Sequence, residues 1–110
     1  MPTSDTSSKM PSPIEVTFSL INEKWTIVIL WNLMSGTRRF GELKNLCGGI
    51  THKVLTERLR QLEENGLIVR KVYAEMPPHV EYTLSEIGYS LKPILVSMWN
   101  WGEKYMLHSK

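Results

Sequence analysis

The apolar positions divide the chain into a run of helices, a hairpin and a last long helix. Ser12-Pro13-Ile14-Glu15 combines an N-cap serine, a proline at the first helical position and a glutamate at N3. That arrangement satisfies two orphan amides reciprocally, so a first helix is predicted over 12–21. Asn22 and Glu23 interrupt it. Over 24–34, Trp25, Ile27, Val28, Ile29, Leu30, Trp31, Leu33 and Met34 leave almost no polar side, and a helix without a polar face has to be covered all round. Ser35-Gly36-Thr37 ends it.

A third, short helix is predicted over 40–47, with Phe40, Leu43 and Leu46 recurring on one side and Gly48-Gly49 closing it. Thr51 then caps a fourth helix, in which Leu55, Leu59 and Leu62 repeat at i, i+4 and i+7 until Asn65-Gly66 supplies a left-handed stop. Two helices joined by so short a turn match a helix-turn-helix. The period then changes to two: Ile68, Arg70 and Val72 alternate with Val69, Lys71 and Tyr73, and after Met76-Pro77-Pro78 the residues Val80, Tyr82 and Leu84 alternate with His79, Glu81 and Thr83. This is a β-hairpin with a proline-rich tip. Ser85 caps a final helix reaching about residue 107, with a bend or break expected near Lys92 because Pro93 lies inside it. The fold class is therefore mainly α with a small β-hairpin wing.

Length limits the chain to one small domain: 110 residues, 42% hydrophobic and 22% charged. A domain of this size buries only roughly 60 to 70% of the surface of its unfolded chain and often gains by association. Residues 1–11 are polar and read as a disordered leader, leaving 12–107 as the domain. The longest apolar run is far short of the ~20 residues of a membrane span, and a lone cysteine, Cys47, allows no intramolecular disulfide. These features point to a cytoplasmic protein without membrane association. The net charge of +2 is uninformative as a total. Its distribution is not: residues 36–60 hold six basic residues against two acidic ones, whereas the rest of the chain has no net excess of cations.

Catalytic constellations are missing, since no nucleophile elbow, phosphate loop or dinucleotide fingerprint occurs. His52, His79 and His108 fall on separate elements without ligand spacing, so no metal and no cofactor are expected. What the pattern does supply is a helix anchored on one side and cationic on the other, as nucleic-acid recognition requires. With Leu55, Leu59 and Leu62 inward, Thr51, His52, Lys53, Thr56, Glu57 and Arg60 project outward. Arg58 lies at the inward flank, where a structural role competes with a DNA contact. The candidate DNA contacts are Thr51, His52, Lys53, Thr56 and Arg60 on the fourth helix, Lys71 and His79 on the wing, and Arg38 and Arg39 before the third helix.

The strings Lys24-Trp25-Thr26, Arg38-Arg39-Phe40-Gly41-Glu42-Leu43, Gly49-Ile50-Thr51, Leu55-Thr56-Glu57-Arg58-Leu59, Asn65-Gly66-Leu67 and Pro77-Pro78-His79-Val80-Glu81-Tyr82 resemble the HxlR type of winged helix-turn-helix regulators, relatives of the MarR regulators in bacteria and archaea. The resemblance spans roughly residues 12–105. It implies a homodimeric transcription factor that inserts the fourth helix into the major groove, lays the hairpin along the DNA and dimerises through its first and last helices. Two departures stand out. Many such proteins carry a cysteine just before the proline that opens the first helix, in some cases a sensor of oxidants, where this chain has Ser12; and the residue after the paired prolines, commonly a permanent cation, is His79.

Cys47 is read as a small buried hydrophobe. A thiol sensor there would need exposure and a cation such as Lys44, one turn earlier, to lower its pKa. Trp25 and Trp31 are expected in the core. Trp99 and Trp101, ~200° apart on one helix, cannot both face it, so one meets a second surface: a dimer contact or an aromatic-lined effector pocket. The dimer candidates are Ile14, Phe18, Leu95, Met98, Trp99 and Trp101. The expected partners are thus a second copy of the chain and double-stranded DNA bearing inverted half-sites, with a winged-helix module for protein interaction as the rival reading.

Overall fold

Ser12 closes the predicted capping box: its backbone amide donates to Glu15 Oε1 at 2.8 Å and its hydroxyl accepts from the Glu15 amide at 3.3 Å. In this computed structural model, which describes residues 10–109, that cap opens α1 (Pro13–Ile21), followed by α2 (Lys24–Leu33), β1 (Arg38–Arg39), α3 (Phe40–Leu46), α4 (His52–Glu64), β2 (Ile68–Tyr73), β3 (His79–Leu84), α5 (Glu86–Tyr89) and α6 (Lys92–His108). Most of the leader expected over 1–11 lies outside the described residues. Among them, no helix is long and apolar enough to cross a membrane.

The apolar α2 is the centre of the molecule, touching α1, α3, α4, α6 and β3. Its Ile29, Leu30 and Leu33 are buried together with Leu43 of α3, Leu55, Leu59 and Leu62 of α4, Ile68 and Tyr82 of the sheet and Leu95 of α6. Trp25 and Trp31 border this core, partly covered. The hairpin is one part of a three-stranded antiparallel sheet in the order β1-β3-β2. Its third strand, β1, has only two residues and no readable period; it forms because its backbone finds the free edge of β3, pairing Arg38 with Tyr82 and Arg39 with Glu81.

Two expectations are corrected and one is met. Leu46 is 47% exposed and Cys47 takes the inward place in α3, since four residues bring Cys47 within ~40° of Leu43 around the helix. The break expected near Lys92 is present: the last stretch is two helices separated at Ser90-Leu91, and Pro93 stands in the first turn of α6, where its missing N–H costs no hydrogen bond. Leu95, expected at a dimer contact, is 2% exposed and belongs to the protomer core, because it lies on the side of α6 that packs on α2. Trp99, one turn later, stacks on Trp31 of α2 with ring centroids 5.1 Å apart and planes 3° from parallel.

Two local contacts hold the layers in register. After α4 the chain turns through Gly66 (φ +75°), and Ser85 ties α5 to this turn: its hydroxyl donates to the Gly66 carbonyl at 2.6 Å and accepts from the Gly88 amide at 3.1 Å. Gly88 thereby lies against the Leu67 carbonyl, with room for no Cβ: one built there would stand 2.0 Å from that oxygen. Midway along α4, Arg58 Nε donates to Glu23 Oε1 at 2.7 Å, and the same carboxylate caps α2 by accepting from the Thr26 amide at 3.1 Å. Burial acts to raise the Glu23 pKa, but the hydrogen bonds from Arg58 and the Trp25 and Thr26 amides, with the Arg58 charge, outweigh it and hold the carboxyl below its ordinary value.

Gly88→Ala is expected to destabilise the protein by about 2–4 kcal/mol, since the obstructing atom is backbone and cannot rotate away. Urea unfolding measures this, and a loss below about 0.5 kcal/mol would contradict the close approach. Glu23→Gln is expected to cost about 0.5–1.5 kcal/mol near pH 7. A lowered folded-state pKa contributes stability above the ordinary carboxylate value of 4.5 that is lost as pH falls through the folded value. The gap between the parent and Glu23→Gln therefore closes in acid; a gap that widens as the pH drops would refute the assignment.

Candidate nucleic-acid interface

The helix-turn-helix is set by caps and one buried anchor. The Arg39 amide donates to Glu42 Oε1 at 2.7 Å, opening α3. Ile50, 3% exposed, pins the turn to the core, and Thr51 opens α4 by accepting the Val54 amide on its hydroxyl at 3.1 Å. With the three leucines of α4 buried, His52, Lys53, Glu57 and Arg60 are exposed and Thr56 is half-buried. The Thr56 hydroxyl donates to the His52 carbonyl at 2.8 Å, and the His52 ring lies against Phe40, centroids 4.7 Å apart. Arg58 is turned away from this face and bound to Glu23, which decides for its structural role.

The sheet register sorts the other cations into two rows. Arg38, Tyr82 and Arg70 are cross-strand neighbours on one face, and Arg39, Glu81 and Lys71 on the other. Tyr82 and Arg70 line a cleft with α4, so the first row is the one that faces the recognition helix. Arg38 Nη2 donates to Ser35 Oγ at 2.8 Å, while its Nε is buried without a partner among the described residues. Lys71 Nζ lies 5.0 Å from the centre of the Tyr73 ring, which stacks on His79. His79 stands between two carboxylates, with Nε2 3.1 Å from Glu81 and Nδ1 3.5 Å from Glu75, and its side chain is only 15% exposed. Thr51, His52, Lys53, Thr56 and Arg60 thus share one helix, Arg39 and Lys71 share the outer sheet row, and His79 is engaged within the wing. Arg70 was missed, because which of Arg70 and Lys71 faces α4 follows from strand register and not from alternation alone.

Away from these elements, α1 and α6 expose Ile14 (79%), Phe18 (66%) and Trp101 (64%). Ile14, Phe18 and Met98 line one groove, and Met98 continues into a second with Ile94 and Trp101. Cys47 is buried, and burial pushes its thiol above the usual cysteine value with no compensation from Lys44. Among the described residues no group of histidine, cysteine and carboxylate side chains could hold a metal ion.

Known proteins are similar to this chain in architecture and in sequence. The uncharacterised helix-turn-helix transcriptional regulator YdeP of Bacillus subtilis is 45% identical over 93 residues, covering 84% of this chain and 73% of its own length. Among solved structures, the redox regulator HypR in its reduced form superposes with a TM-score of 0.83 at 40% identity, covering 90% of this chain and all of that one. The regulator ytcD gives 0.82 at 47% identity, covering 87% and 98% of the two chains. A family model described as HxlR-like helix-turn-helix matches residues 20–110. With its helix-turn-helix and wing in place, the chain belongs to the HxlR-like family of winged helix-turn-helix transcriptional regulators, DNA-binding proteins and not enzymes.

Proposed function

We propose that the protein works as a homodimer that occupies an operator of two inverted half-sites, each protomer placing α4 in the major groove and its wing on the adjacent backbone or minor groove, in the cytoplasm of a bacterial cell. The observation that carries this is the division of α4: Leu55, Leu59 and Leu62 are at most 1% exposed, while His52, Lys53 and Arg60 on its other side are open to solvent. A helix held so firmly by one face presents the other at a fixed orientation. Thr51, His52, Lys53 and Thr56 occupy its first turns, where helix-turn-helix proteins approach base edges. Arg38, Arg39 and Lys71 contribute contacts to phosphates. His79, held between Glu75 and Glu81, contributes to the wing's shape and meets DNA only at its exposed edge.

The continuous apolar grooves joining Ile14 and Phe18 to Met98 and Trp101 support dimerisation through α1 and α6. An exposed patch of this kind is costly in a monomer. A second copy related by a two-fold axis covers it and sets two recognition helices at the spacing an inverted repeat needs, ~34 Å or a multiple of one DNA turn.

Gel retardation of fragments from upstream of its own gene tests the reading. Binding is expected to weaken with salt at a log-log slope of at least about −4 for the dimer; a flat response would favour a protein-interaction module. Lys53→Ala is expected to cost about 1–3 kcal/mol on the preferred sequence and to narrow the gap to random DNA, whereas Lys71→Ala weakens both equally. Equal losses on both DNAs for both variants would refute the division of roles. Replacing Phe18 and Trp101 together by aspartate is expected to give a folded monomer in sedimentation that no longer binds tightly; an unchanged dimer would remove α1 and α6 from the interface.

A further inference from the structure

Arg70, in the cleft between α4 and the sheet, is a cation the proposed contacts leave unused. The cleft encloses about 280 Å³ and is walled by Thr56, Arg60 and Glu63 of α4 on one side and by Arg70 and Tyr82 of the sheet on the other. Two arginines from different elements thus line one space whose lining includes a single carboxylate residue, Glu63. The ion pairs of the described residues use Arg58 and His79 only, so Arg60 and Arg70 are both left without a counter-charge partner. Both lie on exposed positions of their elements. A pair of planar, permanently charged forks opening on one notch suits a tetrahedral oxyanion, which each can bind through two parallel N–H donors.

The position of the notch identifies the anion. When a recognition helix enters the major groove and a wing lies on the neighbouring minor groove, one phosphodiester strand separates the two grooves and has to pass between helix and wing. We propose that Arg60 and Arg70 together hold one backbone phosphate of that strand, acting as a clamp at the junction of α4 and the wing. The inference rests on the DNA-binding reading above. It gives Arg60, a candidate DNA contact on α4, the backbone as its target, and it adds Arg70, on the row facing α4, to the phosphate contacts of the wing. Lys71, on the opposite row, shares its surroundings with Glu81 and Arg39.

The test is a scan of a bound duplex in which single phosphates are replaced by neutral methylphosphonates, with the intact protein and with Arg60→Gln and Arg70→Gln. One replacement per bound protomer is expected to weaken the intact protein by about tenfold and to have little further effect on either variant, at the same phosphate for both. Each variant is also expected to reduce the salt slope, the double variant by about 1 per protomer. Arg70→Lys, which keeps the charge and loses the fork, should recover only part of the affinity. If both variants remain sensitive at every phosphate, or lose sensitivity at different ones, the clamp is wrong while the DNA-binding reading stands. If the intact protein retards no duplex at low salt, both fall. Thermal unfolding of Arg60→Gln and Arg70→Gln near the parent's temperature separates lost contact from lost fold.

Discussion

A helix with apolar side chains on nearly every side cannot remain in water, and α2 is such a helix. Covering it dictates most of the architecture: α4 lies against it through Leu55, Leu59 and Leu62, α6 through Leu95 and the Trp31–Trp99 stack, and β3 through Tyr82. Burial of each such side chain contributes roughly 1.5–3 kcal/mol, so a protein of 110 residues has little stability without this one element. The same constraint creates the functional surfaces. A recognition helix pinned by three leucines has its polar face directed outward, and a terminal helix pinned at Leu95 and Trp99 carries Met98 and Trp101 away from the protomer core.

Strand register does for the wing what the leucine stripe does for α4. Because side chains alternate across a sheet, a register in which Arg38, Tyr82 and Arg70 are neighbours assigns one arginine row to the helix side and leaves Arg39, Glu81 and Lys71 on the other. A slip of one residue would exchange Arg70 with Lys71 and bring a flexible ammonium to the cleft in place of a planar fork. Ser85 and Gly88 guard against such a slip, since they seat α5 on the Gly66–Leu67 backbone at the end of β3.

Local signals in the sequence proved sufficient for the caps and the hairpin. Ser12, Thr51 and Ser85 cap helices where they were expected to, and both hairpin strands form over the expected residues, although burial does not alternate along them: Ile68 is buried and Val72 exposed. What was not legible depends on contacts between distant residues. The strand β1 exists only because β3 offers it an edge some forty residues later, and the pairing of Arg58 with Glu23 spans 35 positions. The misplacement of Leu46 and Leu95 has a shared cause: an apolar residue on a helix declares that it wants cover, while the side from which cover comes is settled by neighbouring elements. The outward face of α4 was legible because its inward face is a regular leucine repeat, whereas Arg70 became a candidate only once the register was known.

The central claim is that the polar face of α4, held by the core around α2, is the surface that meets DNA. Backbone hydrogen exchange of the protein alone and bound to its duplex tests it most directly. Protection on binding is expected in the turn before α4, in the first two turns of α4, at Arg38 and Arg39 and along the wing, with α1 and α6 unchanged. Protection confined to α1 and α6, with α4 exchanging as freely as before, would contradict it.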